Sequence, residues 1–495
     1  MPSREYSPKR RTALVFFGSG TAGSYHAGVQ RAFDESGVKV DLVVGSGAGT
    51  IAAAFAAVAG GAKLYGDDGF WAGVSWRSLY RLRLALRTAA GLLAACFAVF
   101  LLPPLLALIA GVVVLPLLFI ADVLRPGVFG QVITQFAGTP ALIRGPYLAA
   151  LAAPVFALCL IATVAVARAL IRDRRRFAES FESPLDVERG RERLVRALWH
   201  ISRGPTISDN PPAEPELGQR YVALLSENLG QPGFRELILR AADVESGSAL
   251  DFVLLQDAHR SSFAAARSRG PRSRLEGMPG AVDLRAPGQD ALFFDAVFTG
   301  LLPPFVTPAR RVSFPRGGSH GGETHRLVDA TLVSGTGLAC ALAAGAEQVI
   351  LVAPVPEEPE APPRRRGPRA HADGVLALLE RQAVERDVAE AERINRMVQT
   401  LGHDTPAGRA WQDPATGRLF REFALYLVRP SRRGLLPLEW DGAQDPATEV
   451  LETPADLMER GYKDAYRLFV EPVVGAAPEP RRPVALAQEV QTVGL

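Results

Sequence analysis

Two short runs of β-branched and aromatic residues near the start of the chain are each followed by a glycine-rich turn and a helical segment. The first run, Thr12–Phe17, precedes the helical segment Ala27–Ser36, and the second, Lys39–Val44, precedes the small-residue helix Thr50–Ala59. This alternation predicts an α/β domain with a mostly parallel central sheet.

Hydrophobic patterns later in the chain extend the prediction. The apolar runs Phe252–Leu255 and Val349–Val352 are further strand candidates. Between residues 371 and 401 apolar residues recur at helical spacing with charges between them: Val384, Val388, Ala391, Val398 and Leu401. That spacing predicts an amphipathic helix packed on the domain.

Two long apolar runs interrupt the α/β pattern. No residue from Thr88 to Ala121 is charged, and a second run covers Tyr147–Ala167. Arginines cluster on the outer flanks of the two runs, whereas the loop between them has only two. By length and by the positive-inside rule, we predict a two-crossing transmembrane insertion with both outer flanks in the cytoplasm. The alternative is a pair of buried core helices.

This interpretation makes the chain an integral membrane protein, of the inner or cytoplasmic membrane, with its main domain in the cytoplasm. The predicted division is 10–85 and 175–355 as the two parts of the α/β domain, 86–168 as the insertion with crossings at 88–121 and 147–167, 370–471 as a C-terminal helical and strand extension, and 472–495 as a loose tail.

Charge and cysteine content limit the partners and cofactors that we expect. The net charge of +3 over 495 residues does not require a nucleic-acid partner, and we expect none. The three cysteines lack the spacing of metal ligands, so we expect reduced, structural thiols and no metal or other cofactor.

Two glycine-rich turns carry the candidate chemistry. The first, Gly18-Ser19-Gly20-Thr21-Ala22-Gly23, lies between a strand and a helix, where backbone N–H groups suit a phosphate or an oxyanion. It also fits a dinucleotide-binding fingerprint. The second, Gly45-Ser46-Gly47-Ala48-Gly49, has the form of a nucleophile elbow, but its central residue is Gly47 instead of serine.

Three segments together resemble the patatin-like phospholipase family. They are LVFFGSGTAGSYHAGVQRAF, similar to the family's oxyanion loop and first helix; VDLVVGSGAGTIAAAFAA, similar to its elbow strand and helix; and HRLVDATLVSGTGLACALAAGAEQVILVAPV, similar to the segment with its catalytic aspartate. The resemblance implies a patatin-like three-layer α/β fold, here interrupted by the transmembrane insertion.

The resemblance also implies a set of site residues. Asp329 matches the aspartate of the family's Ser–Asp dyad, and Gly18, Gly20 and Gly23 match its oxyanion loop. Gly47 occupies the nucleophile position and has no side chain to attack a carbonyl. The glycine that usually follows the aspartate is replaced by alanine, and so is the basic residue of the first loop.

Other polar residues near these motifs are weaker candidates. Ser46, next to the elbow tip, is a possible substitute nucleophile. Ser19 and Ser24 fit loop-capping hydroxyls, and His26 fits a core histidine. The histidines and the glutamate in the glycine-rich loop before the aspartate fit a solvated loop instead of a metal site: His320, Glu323 and His325.

Three functional classes follow. The first is a catalytically degenerate patatin-like membrane protein that binds lipid or acts as a scaffold. The second is a weak or altered lipid acyl hydrolase that uses a non-standard nucleophile or an Asp329-activated water. The third is a membrane-anchored nucleotide-binding module. Whether the chain is an enzyme stays open at this point, and the expected partner is membrane lipid.

Overall fold

The computed structural model describes most of the chain. The described residues are 6–83, 115–137, 183–203, 210–268, 281–316, 320–333, 335–357, 368–405, 408–414, 419–432, 434–444 and 450–475, with scattered positions between 86 and 164. They form two compact units, one from residues 1–81 and 187–495 and the other from residues 82–186.

The strands are short and distributed along the chain. They are β1 (Thr12–Gly18), β2 (Leu42–Gly47), β3 (Arg81–Leu82), β4 (Leu185–Asp186), β5 (Glu236–Asp243), β6 (Ser248–Leu254), β7 (Ala281–Asp283), β8 (Arg310–Ser313), β9 (Thr324–Asp329), β10 (Gln348–Val352), β11 (His403–Thr405), β12 (Gly408–Gln412), β13 (Leu419–Arg421), β14 (Ala424–Val428), β15 (Ala443–Gln444) and β16 (Leu451–Glu452).

Helices alternate with these strands. They are α1 (Ala22–Ser36), α2 (Gly49–Ala57), α3 (Ala62–Tyr65), α4 (Trp76–Leu79), α5 (Val128–Ala137), α6 (Glu188–Ser202), α7 (Glu214–Asn228), α8 (Asp257–Ser268), α9 (Phe293–Phe298), α10 (Leu338–Ala343), α11 (Pro368–Leu401) and α12 (Pro454–Ala465). A π-helical segment, Tyr466–Val474, continues α12.

A largely parallel sheet forms the centre of the larger unit, in the order β14-β10-β1-β2-β5-β6-β7. Its first five strands are parallel, β6 is antiparallel to β5, and β8 and β9 form a hairpin that joins the sheet through β5. This confirms the predicted α/β class with a mostly parallel sheet. The strand near residue 350 also extends as predicted, from Gln348 to Val352.

The central strands are buried on both faces, so their hydrophobic runs are continuous instead of alternating. Val15 and Phe17 of β1 pack with Val384 and Ala391 of α11 in one hydrophobic cluster. On the opposite face, the ring of Phe16 packs against His26 of α1, with centroids 5.2 Å apart. Every residue of β1 is therefore buried.

The predicted transmembrane insertion is wrong. Among the described residues, no helix has the length and apolar character needed to cross a bilayer. The crossings at 88–121 and 147–167 were predicted from the length of these runs and their lack of charge; most of both runs lies outside the described residues. The predicted integral-membrane localisation depended on these two crossings and is contradicted together with them.

The C-terminal part of the chain completes the larger unit. Strand β14 adds to the edge of the sheet beside β10, and α12 packs on α1 at backbone distance. Glycines permit this approach: a Cβ at Gly28 would lie 1.8 Å from the carbonyl oxygen of Met458, and one at Gly461 would lie 2.3 Å from that of Tyr25. Of the predicted loose tail, 472–495, residues 472–474 belong instead to the π-helical segment, and those beyond 475 lie outside the described residues.

Candidate active site

Three strands end at the same place. Strand β2 pairs with β5 as far as Arg240, and β9, running in the opposite direction, pairs with the same edge of β5 from Ala241 onward. Asp329 is the last residue of β9, and Gly18 at the end of β1 lies opposite Gly47 at the end of β2. The register of the sheet therefore brings the first glycine turn, the elbow turn and the aspartate together.

The elbow turn has no space for a side chain. Gly47 has φ of +66°, which favours glycine, and an added Cβ would lie 2.4 Å from the Gly18 carbonyl oxygen and 2.9 Å from Oδ1 of Asp329. The next backbone N–H, that of Ala48, donates to the Gly18 carbonyl at 2.8 Å. In an active elbow this N–H stabilises the oxyanion; here it already has a partner.

A serine from the first turn occupies the space beside the aspartate. The hydroxyl of Ser19 donates to Oδ2 of Asp329 at 2.6 Å, and both side chains are fully buried. The other carboxylate oxygen, Oδ1, accepts from the backbone N–H and the hydroxyl of Thr331, at 2.8 and 2.9 Å. These bonds fix the carboxylate so that one oxygen faces the serine hydroxyl.

A second buried acid lies on the other side of Ser19. The backbone N–H of Ser19 donates to Oε1 of Glu380, in α11, at 2.6 Å. Burial raises the pKa of Glu380 to about 8; the hydrogen bond from the Ser19 N–H acts against this rise, and the nearby charge of Asp329 contributes to it. Burial also raises the pKa of Asp329 to about 6, although its hydrogen bonds from Ser19 and Thr331 act against this rise. Near neutral pH, Asp329 is therefore ionised and Glu380 protonated.

A small pocket of about 40 Å³ opens beside this pair and is lined by both Ser19 and Glu380. One wall is the segment 434–437, which we call the cover segment. It is held to the glycine turn by two bonds: the N–H of Thr21 donates to the Pro437 carbonyl and its hydroxyl to the Leu436 carbonyl, each at 2.9 Å. The cover segment therefore restricts access to the serine.

The residues predicted from the family resemblance have different surroundings. Gly18 lies opposite Gly47, and a Cβ at Gly47 would meet Asp329, whereas a Cβ at Gly20 would lie 1.8 Å from the Pro437 carbonyl oxygen of the cover segment. Gly23 lies in the first turn of α1, where a Cβ would meet the indole ring of Trp71 at 2.1 Å. The catalytic and oxyanion roles assigned to these residues stay predictions.

The weaker candidates also differ from one another in their surroundings. The hydroxyl of Ser46 is buried and makes no hydrogen bond within the described part of the chain. His26 is a core residue whose Nε2 lies 3.1 Å from the Phe17 carbonyl, and burial lowers its pKa to about 3, so the ring is neutral. Ser19 is not the capping hydroxyl that we predicted, since its side chain bonds to Asp329. Glu380 is a site residue that was not predicted; its one signal in the sequence is an acidic residue four positions before Val384 on the apolar face of its helix.

Comparisons with known proteins add little to this geometry. No protein-family model matches the chain, and no curated protein matches it. Among solved structures, the chain is similar to VipD from Legionella pneumophila, with 12% sequence identity and a TM-score of 0.30. The match covers 94% of this chain and 67% of VipD. It is a distant likeness from which no function follows.

Proposed function

We propose that this protein is an acyl ester hydrolase whose nucleophile is Ser19 and whose base is Asp329. The observation that carries the proposal is the 2.6 Å hydrogen bond from the Ser19 hydroxyl to a buried carboxylate. A serine is a weak nucleophile until a neighbouring base accepts its proton. The pKa of about 6 at Asp329 gives a base that is ionised at pH 7 and basic enough to accept that proton.

The reaction proceeds in two steps. In the first, the Ser19 oxygen bonds to the ester carbonyl carbon while its proton moves to Asp329; the ester C–O bond then breaks, and the alcohol leaves with that proton. In the second, water gives a proton to Asp329 and bonds to the acyl carbon, the acid is released, and the Ser19 oxygen recovers the proton. The chain supplies both groups, and the co-substrate is water.

Glu380 supplies the group that stabilises the developing oxyanion. Its Oε1 accepts from the Ser19 N–H, so the proton that it keeps at pH 7 belongs to Oε2, and the residue lines the pocket beside Ser19. A neutral carboxylic acid in an apolar site donates a strong hydrogen bond to an oxyanion. This replaces the elbow N–H, which bonds to the Gly18 carbonyl.

The pocket is small for a fatty-acyl substrate. Its volume is about 40 Å³, and the cover segment forms one of its walls. A lipid substrate, as the sequence predicted, requires the cover segment to move away from Thr21. Short-chain esters are therefore the substrates of the arrangement described here, and lipid esters are substrates only of an opened one.

The test is hydrolysis of p-nitrophenyl acetate together with labelling by a fluorophosphonate probe. We expect Ser19→Ala to lose activity by on the order of 10³-fold or more, because no other group forms the acyl intermediate. The matched control is Ser46→Ala, since Ser46 is also a buried serine in a glycine turn but does not contact Asp329. Equal labelling of the native protein and Ser19→Ala contradicts the proposal.

A second candidate is a protein without catalytic activity that keeps the fold to bind lipid or to act as a scaffold. It is favoured by the complete burial of Ser19 and by the bond between Ala48 and Gly18. In that case Ser19 acts only to satisfy the buried carboxylate of Asp329. Folded native protein that neither hydrolyses the ester nor reacts with the probe supports this candidate against the first.

A further inference from the structure

A second cluster of polar side chains lies at the opposite end of the strand that carries Asp329. His320 and Glu323 lie in the loop between β8 and β9, and His325 lies in β9 itself. One ligand atom from each of the three lies within 4.8 Å of those of the other two. The two imidazole rings are 5.1 Å apart, and Nε2 of His325 is 3.1 Å from Oε2 of Glu323.

One member of the cluster has an unused ligand atom. Nε2 of His320 is buried and has no hydrogen-bond partner among the residues that the structure describes. A buried polar atom without a partner is destabilising, so its presence calls for a ligand or a bound solvent molecule. A metal ion at the centre of the cluster would use this lone pair.

The second histidine is held by a buried carboxylate. Nδ1 of His325 lies 2.8 Å from Oδ2 of Asp243, whose side chain is 1% exposed. Asp243 is itself fixed, because its carboxylate oxygens accept from the backbone N–H groups of Glu245 and Ser246. A carboxylate that binds one imidazole nitrogen and orients the other toward a metal is the usual support of a zinc-bound histidine.

We propose that His320, Glu323 and His325 bind a zinc ion and that Asp243 positions His325. Two imidazoles and one carboxylate suit zinc, whereas calcium and magnesium require mostly oxygen ligands. Three protein ligands leave the fourth tetrahedral position to water. Ligand atoms around tetrahedral zinc lie about 3.4 Å apart. Oε2 of Glu323 and Nε2 of His325 are already 3.1 Å apart, so the contraction, of at most about 1.4 Å, is needed in the distances to His320.

A different grouping, of Asp243, Glu245 and His325, has similar spacing but suits a metal less well. In that grouping, the carboxylate of Asp243 already accepts hydrogen bonds from two backbone N–H groups. A metal bound there would also leave Nε2 of His320 without a partner. Zinc in the site that we propose would fasten the β8–β9 loop to the strand that ends in Asp329. Its presence does not depend on the proposed hydrolase activity.

The experiment is calorimetric titration of chelator-treated protein with Zn²⁺, with Mg²⁺ and Ca²⁺ titrated separately. We expect one zinc ion per chain and a rise in the melting temperature on binding. His320→Ala should weaken binding at least tenfold, and so should Glu323→Gln, whose exposed site leaves folding unaffected. His200→Ala, a change at an exposed histidine of α6, should bind as the native protein does.

Cobalt provides an independent readout, because Co²⁺ in a tetrahedral site gives intense visible absorption. We expect these bands in the native protein and in His200→Ala, and their loss in Glu323→Gln. Zinc affinity that is the same in the native protein and in both cluster variants overturns the proposal. Binding of more than one weak ion without tetrahedral cobalt bands overturns it as well.

Discussion

Glu380→Gln tests whether a neutral acid is built into the core of the site. Glutamine has the size of glutamic acid and keeps a carbonyl oxygen to accept from the Ser19 N–H, but it cannot ionise. Burial holds the pKa of Glu380 near 8, against 4.5 for an exposed glutamate. As the pH rises, the folded native protein must therefore either keep the proton on Glu380 or bury a negative charge at that residue. The glutamine of the variant has neither requirement.

The magnitude follows from proton linkage. Because the folded-state pKa is above the unfolded one, the contribution of Glu380 to stability is full below about pH 4.5 and is lost as the pH rises through about 8. The rise in the pKa from 4.5 to about 8 corresponds to a loss of about 5 kcal/mol in the free energy of unfolding, at about 1.4 kcal/mol per pH unit. The advantage of the variant over the native protein should therefore grow by about 1 kcal/mol or more for each pH unit between 5 and 8.

Urea denaturation at pH 5, 6, 7 and 8 measures this difference in the free energy of unfolding. The slope against pH is the informative quantity, since the substitution also adds a constant difference through the amide group. Glu392→Gln, at an exposed position of the same helix, is the matched control and should show no such slope. Parallel curves for the native protein and Glu380→Gln would refute the claim that Glu380 is protonated in the folded protein.

Two further predictions concern the same junction. Ester hydrolysis should rise through about pH 6, as Asp329 loses its proton, and fall above about pH 8, as Glu380 ionises, so kcat/KM against pH should be bell-shaped; a flat profile contradicts the assigned pair. Gly47→Ala should lower the free energy of unfolding by about 3 kcal/mol and Gly37→Ala by only about 1 kcal/mol, as measured in urea, because both have positive φ but only Gly47 is crowded. Equal losses would mean that crowding at Gly47 contributes nothing.

The elements that the sequence predicted correctly are those whose pattern is local. The first strand was predicted at Thr12–Phe17 and extends one residue further, to Gly18. The first helix was predicted from Ala27 but begins at Ala22, because the second half of the glycine turn is helical. Glycine and small residues there obscure the helix signal, since glycine is a poor helix former and in this position packs against Trp71.

The transmembrane prediction failed for a different reason. Absence of charge over 34 residues is a property of composition, whereas a crossing requires about 20 residues in one continuous helix. The sequence between Thr88 and Ala121 carries adjacent prolines near its middle, which oppose such a helix.

The candidate active site shows which features cannot be predicted from local sequence patterns. Because the ends of parallel strands in an open α/β sheet meet at one edge, the pattern of two strands each followed by a glycine turn is enough to bring the two turns together. It did not predict Ser19, because a serine in a glycine turn has the same local pattern whether it caps a helix or binds a carboxylate. The difference is decided by β9, which is 310 residues away in the chain and ends on the same edge of β5 as β2 does.

The lack of a side chain at Gly47 and the position of the Ser19 hydroxyl are linked. A side chain at Gly47 would lie within 2.9 Å of Asp329, so an elbow nucleophile and the Ser19 hydroxyl would compete for the same carboxylate. With glycine at the elbow, the carboxylate is open to Ser19, and the serine satisfies a buried oxygen that would otherwise lack a donor. Gly47→Ser is therefore a poor way to restore an active elbow, because the new side chain meets the Gly18 carbonyl as well as Asp329. Adding Ser19→Ala would leave only one hydroxyl beside Asp329, but the backbone carbonyl of Gly18 would still lie 2.4 Å from the new Cβ, so the double variant does not restore an active elbow either.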